Sequence, residues 1–170
     1  PVLYLEGGPG YAGVPRERDD FGAEGWLRYN YAEFLQSGRA MIFVDTRGLG
    51  FAEPALHCPK ALRAAWDDLK VHPAERSFET VLAADTECFR TLEMEGVDLS
   101  TYNSESNALD LKALREGLGI EQWNLYGISY GAQTALSLLE ADRAGVRSVI
   151  FDSPSYDRVD VFPADQAAFD

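Results

Sequence analysis

A mixed α/β architecture, with a mostly parallel, doubly wound sheet and a helical insertion, is predicted by three observations. Short apolar runs suited to buried strands alternate with helix-like stretches. Glycine-dense turns leave the ends of three of those runs. The third observation is Gly127-Ile128-Ser129-Tyr130-Gly131 between Trp123-Asn124-Leu125-Tyr126, which reads as a strand, and Ala132 to Ala141, which reads as a helix. A serine at such a strand-to-helix turn has a strained backbone and an exposed hydroxyl, and side chains two positions away would collide with the turn. Gly127 and Gly131 remove those side chains, so Ser129 is the candidate nucleophile.

In chain order, Val2 to Leu5 is a short β-rich run that stops at Glu6-Gly7-Gly8-Pro9-Gly10-Tyr11. A glycine turn there offers backbone N–H groups beside the serine, and Gly8 is the expected oxyanion donor. A phosphate-cradling role is disfavoured, because neither Lys-Ser/Thr nor a Gly-x-Gly-x-x-Gly spacing follows. Residues 14–25 read as an exposed loop. Trp26 to Gln36 reads as a helix, with Leu27, Tyr31, Phe34 and Leu35 on one face, ended by Ser37-Gly38. Ala40-Met41-Ile42-Phe43-Val44 is a continuous apolar run, expected as a central strand buried on both faces.

Between residues 55 and 100 strand signals vanish, and Lys60 to Leu69 and Ala74 to Glu95 have helix-forming composition. This is the helical excursion. Ser104 to Gly117 reads as a helix capped by Ser104, Ser106 or Asn107, with Leu109, Leu111, Leu114 and Leu118 facing the sheet and Gly119 as its stop. Val146 to Phe151 is a further strand ending at Asp152, with an apolar edge open to association. The organisation expected is a partial core over residues 1–152, truncated at both ends, with residues 153–170 beginning a cap.

The 170 residues, 46% of them apolar, suffice for one core. A net charge of -13 disfavours nucleic acid or an anionic membrane as partner. No apolar run reaches the length of a membrane span, and a basic-then-apolar leader is missing from the first residues. Because Pro1 to Leu5 reads as the middle of a fold, the natural N-terminus is expected upstream. No metal or cofactor is called for by these motifs.

Taken together, Gly7-Gly8-Pro9-Gly10, Asp45-x-Arg47-Gly48-x-Gly50 and Gly127-Ile128-Ser129-Tyr130-Gly131 resemble the α/β-hydrolase peptidases of the prolyl aminopeptidase and tripeptidyl aminopeptidase group. Glu53-Pro54-Ala55-Leu56-x-Cys58-Pro59, Gly96 to Tyr102, Asp110-Leu111 with Leu114-Arg115, Trp123 to Tyr126 and Arg147 to Ile150 are similar to its secreted tripeptidyl branch. The resemblance covers nearly the whole chain. It implies an α/β-hydrolase fold, Ser129 as nucleophile, and the N–H groups of Gly8 and Tyr130 as an oxyanion hole. It also implies a peptide substrate with a free N-terminus, cleaved through an acyl-enzyme. Glu6 departs from the group, where His often precedes the two glycines. Ala52 stands where Ser often follows the glycine loop.

The order expected in this fold is serine, acid, histidine, yet His57 and His72 both precede Ser129. Neither matches a position of the base. Asp152 is a secondary candidate for the acid, and both missing members are expected beyond Asp170, so residues 1–170 alone should not turn over substrate. The resemblance to a secreted branch, with an even cysteine count, implies a Cys58–Cys88 disulfide and a secreted or periplasmic location; two thiols in a cytoplasmic protein are the alternative. An ion pair between Glu6 and Arg47 is also expected, to neutralise a carboxylate next to the oxyanion hole. The elbow serves esters as well as amides, so an esterase is one alternative activity and a non-catalytic binding protein another.

Overall fold

The computed structural model describes residues 1–14, 31–34, 36–56, 58–59, 63, 66–68, 70 and 74–154. His57, His72, Trp26 to Asn30, all but Val14 of the loop expected over residues 14–25 and all but Ser153 and Pro154 of the cap expected over residues 153–170 lie outside the described residues. Four strands, β1 (Val2–Leu5), β2 (Met41–Phe43), β3 (Trp123–Ile128) and β4 (Val146–Asp152), form one parallel sheet in the order β2-β1-β3-β4. The helices named here are α1 (Ala74–Met94), α2 (Ser104–Gly117) and α3 (Tyr130–Ala141). The α/β-hydrolase architecture expected from the sequence is the one observed.

Register puts the motifs at one end of the sheet. Leu5 pairs with Gly127, and Ile128 with Asp152, so the glycine turn after β1, the elbow after β3 and the end of β4 meet at the strands' carboxyl edge. That is where ligands of open α/β sheets bind.

Alternation along the strands sends side chains to two different layers. On one face Leu3, Leu5, Trp123 and Leu125 pack with Ala108 and Leu111 of α2 and Ala135 and Leu138 of α3. On the other, Tyr4 meets Phe43, Tyr126 and Tyr31 at ring separations of 5.1–5.7 Å. Tyr31 belongs to a segment in which 31–34 and 36 are helical, and Gly38 leaves it at φ 71°.

Several local expectations need correction. The run around β2 does not form a doubly buried central strand; among the described strands β2 is at the sheet's edge and half-buried, and β1, flanked on both sides, is the fully buried one. The cap of α2 is Asn103, whose side chain accepts the Ser106 N–H at 2.8 Å. Leu111 does face the sheet, but Leu109 is 60% exposed, being 200° around the helix from it, and Leu118 lies past the last turn and is 55% exposed. The buried face of α2 is Asn107, Ala108 and Leu111. Gly119, at φ 66°, reverses the chain at the C-terminus of α2, and Ile120 N–H closes the turn on Arg115 O at 3.0 Å.

A buried ion pair fixes α2 to α3. Arg115 donates through Nε to Asp142 Oδ2 at 2.6 Å and through Nη2 to Oδ1 at 3.1 Å, while Nη1 donates to the Ile120 carbonyl at 2.7 Å. Any side chain at Gly145 would strike this pair. Within the helical excursion, Cys58 and Cys88 are joined by a disulfide with their Cα atoms 5.7 Å apart, which ties α1 to the loop after β2.

Candidate active site

The elbow is built by close packing. Ser129 has φ 51° and ψ -118°, a conformation open to few residues other than glycine. Its own N–H donates to the Asp152 carbonyl at 2.9 Å, and its carbonyl accepts the Ala132 N–H at 3.0 Å. A Cβ at Gly127 would lie 2.5 Å from the Gly131 carbonyl oxygen, and one at Gly131 would strike the Leu5 carbonyl and come within 2.7 Å of Glu6 O. Both glycines are therefore needed for approach. Gly131 docks the start of α3 onto the end of β1.

The turn after β1 closes against the serine. A Cβ at Gly7 would sit 3.2 Å from Ser129 Cβ and 3.8 Å from its Oγ. Gly8 follows at φ 117°, where a side chain would be strained and would meet Gly10 N at 2.6 Å. Neither the Gly8 nor the Tyr130 N–H donates a backbone hydrogen bond among the described residues. Both residues are chain neighbours of this contact, Gly8 following Gly7 and Tyr130 following Ser129. The cleft beside them is lined by Gly7, Gly10, Tyr11, Thr46, Tyr130 and Thr134. The Tyr130 phenol is held by Ser104 Oγ at 2.8 Å.

Glu6 and Arg47 do not form the expected pair. Arg47 instead makes a two-pronged contact with Asp110, Nε to Oδ2 at 2.8 Å and Nη2 to Oδ1 at 2.7 Å, and donates through Nη1 to Thr101 O at 2.9 Å. Glu6 accepts the Gly7 N–H on Oε1 at 2.8 Å and the Tyr4 O–H on Oε2 at 2.9 Å. Two-residue alternation explains the difference: Glu6 shares the aromatic face with Tyr4, while Arg47 reaches toward α2. The Asp45 motif is likewise a loop organiser, its carboxylate accepting the Val14 N–H at 2.9 Å and the Phe51 N–H at 2.8 Å.

The tyrosines of this face resist ionisation. Burial pushes the Tyr4 hydroxyl far above its ordinary range, with hydrogen bonds to Tyr31 and Glu6 adding to it. Burial also raises Tyr31, against its hydrogen bond with Tyr4, which lowers it. Tyr126 is pushed up to about 12, first by its hydrogen bond to Asp152 and then by burial. Asp152 Oδ2 accepts that O–H at 2.6 Å, and Oδ1 accepts Ser153 Oγ at 3.0 Å, so these two donors hold the carboxyl below its usual value. Both oxygens of this secondary acid candidate thus have partners already. Sequence reasoning singled out the Asp152 side chain, but it missed that the backbone carbonyl anchors Ser129.

Among the described residues no cluster of His, Cys, Asp or Glu side chains is arranged to hold a metal, and no helix is long and apolar enough to cross a membrane. The sequence is 26% identical over 152 residues to "Putative hydrolase YuaR" of Escherichia coli (strain K12), an alignment spanning 89% of this chain and 27% of that protein. The chain therefore spans about a quarter of that relative's length. The alpha/beta hydrolase fold family matches residues 1–168. With the parallel sheet, the strained serine and the glycine turn facing it, this match shows that the chain belongs to the α/β-hydrolase family.

Proposed function

We propose that the protein is a serine hydrolase of the aminopeptidase type, cleaving peptides from a free N-terminus through an acyl-enzyme. The observation carrying the reaction class is Ser129 at φ 51° and ψ -118°, with Gly7 packed against its side chain. The peptide preference rests on the motif resemblance. In this reading Ser129 Oγ bonds to the substrate carbonyl carbon and passes its proton to a base contributed from outside the described residues. The carbonyl electrons move onto oxygen, where the Gly8 and Tyr130 N–H groups would receive the charge. Collapse of this intermediate breaks the C–N bond and releases the amine with the transferred proton. Water then cleaves the acyl ester.

An esterase uses the same elbow, so ester cleavage is the second reading. The Cys58–Cys88 bond supports an oxidising, secreted or periplasmic setting. A fluorophosphonate should label Ser129 in the full-length protein, and Ser129→Ala should abolish labelling and lower turnover on the order of 10⁶-fold. Labelling that persists in the alanine variant would identify another nucleophile. Faster turnover of simple esters than of aminoacyl and tripeptidyl amides would favour the esterase.

A further inference from the structure

We propose that Glu6 is a positioning residue, whose carboxylate clamps the glycine turn so that the Gly8 N–H is presented to the substrate oxygen. The inference rests on Ser129 being the nucleophile. Glu6 Oε1 accepts the N–H of Gly7, the very next residue, at 2.8 Å. That bond fixes the orientation of the peptide between Glu6 and Gly7, and it occupies the Gly7 N–H. The next amide, that of Gly8, is then the first one the turn can offer.

The carboxylate is itself held. Oε2 accepts the Tyr4 O–H at 2.9 Å, and Tyr4 is only 3% exposed within the buried β1 strand. The carboxylate takes the single Tyr4 proton. The clamp thus runs from a buried strand, through one side chain, to a turn in which a Cβ at Gly7 would sit 3.2 Å from Ser129 Cβ. Gly131 also packs on the Glu6 carbonyl, so the main chain of Glu6 touches the elbow helix as its side chain holds the turn. A misplaced donor loses most of its effect on a developing oxyanion, because that effect depends on a preorganised direction. Two donors on the carboxylate also offset the negative charge it brings near that oxyanion.

The test measures the labelling kinetics of the full-length protein with a fluorophosphonate probe, resolved into a maximal rate and a half-saturating concentration. Phosphonylation forms the Ser129 Oγ–P bond and expels fluoride, and its phosphoryl oxygen needs the same donors. Glu6→Ala should lower the maximal rate on the order of 10- to 100-fold, with the half-saturating concentration nearly unchanged. Glu6→Gln keeps an oxygen for the Gly7 N–H and should recover to within about threefold of the parent. Tyr4→Phe, which frees one carboxylate oxygen, should fall between them. Thermal midpoints measured in parallel separate a loosened turn from an unfolded protein. A parent-like maximal rate in a folded Glu6→Ala protein overturns the proposal. So does a Glu6→Gln rate as low as that of alanine, which would make the charge rather than the acceptor decisive, or a change confined to the half-saturating concentration, which would make Glu6 a ligand contact. Failure of the parent protein itself to label at Ser129 would refute the nucleophile assignment and, with it, this role.

Discussion

Adding one methyl group at Gly131 should destabilise the protein, whereas the same methyl at Gly117 should stabilise it. At Gly131 the new Cβ would strike the Leu5 carbonyl and lie 2.6 Å from its carbon and 2.7 Å from the Glu6 oxygen, all backbone atoms of a strand end that cannot rotate away. Either α3 must lift from β1 or the strand end must bend. Overpacking of this kind costs about 1–3 kcal/mol. For a domain of this size each kcal/mol corresponds to roughly 2–4 °C, so the melting midpoint should fall by about 2–12 °C. Gly117 ends α2 and has nothing within 4 Å of its would-be Cβ. Alanine there should raise the midpoint by about 1–4 °C, from roughly 0.4–1 kcal/mol of reduced unfolded-state freedom. Thermal unfolding followed by circular dichroism reads both. A Gly131→Ala protein melting at or above the parent would show that the elbow is not packed as described, and two shifts of the same sign would remove close approach as the reason for that glycine.

Three further outcomes are expected. Reduction of Cys58–Cys88, or Cys88→Ser, should lower stability by about 3–4 kcal/mol for a closed loop of this length, and two thiols titrating in the denatured, non-reduced protein would contradict the bond. Replacing Arg115 by Met leaves the Asp142 carboxylate buried without its partner and should lower the unfolding midpoint, whereas Arg147→Met, on an exposed position of β4, should change it little; equal effects would argue against the Arg115–Asp142 pair. The destabilisation caused by Tyr126→Phe should be largest between the ordinary carboxylate and tyrosine ranges and should fade at both ends of the pH scale. Tyr126 is raised on folding, so its contribution is complete below the ordinary tyrosine range and is lost as pH rises through about 12. Asp152 is lowered, so its contribution is complete above the ordinary carboxylate range and is lost as pH falls through its depressed value. A titration of Asp152 by NMR that is identical in parent and Tyr126→Phe would refute the coupling.

The parts of the fold legible in the sequence were those fixed by local constraints. Gly127 and Gly131 flank Ser129 because backbone atoms crowd both positions, and that crowding follows from the strand–turn–helix connection itself. Gly38 and Gly119 mark helix ends through positive φ, which is again a one-residue property. Contacts between distant residues were less readable. Arg47 could have met any carboxylate brought near it, and its choice of Asp110 over Glu6 depends on which face each side chain leaves. The edge position of β2 is likewise a fact of strand order, which the apolar run around it does not encode. Asn103 is hard to single out as the α2 cap because three other capping residues, Ser104, Ser106 and Asn107, follow within four positions. The Arg115–Asp142 pair had a faint signal, an arginine and an aspartate each next to a helix end, but nothing in their spacing said that they meet.

The pairing of β1 with β3 also sets when the elbow comes into being. Val2 lies beside Asn124, 122 residues along the chain, and the elbow's close approach to Leu5 and Glu6 depends on that long-range registration. Contacts of such high sequence separation form late and slowly, because a large loop must close before any of them is made. A growing chain carries its glycine turn before the elbow is made, but it cannot strain Ser129 until β3 has docked on β1 and Asp152 has arrived to accept the serine N–H. The strained elbow is therefore assembled near the end of folding. Partly synthesised or misregistered chains hold an unstrained serine, which confines the elbow conformation to molecules that have completed their sheet.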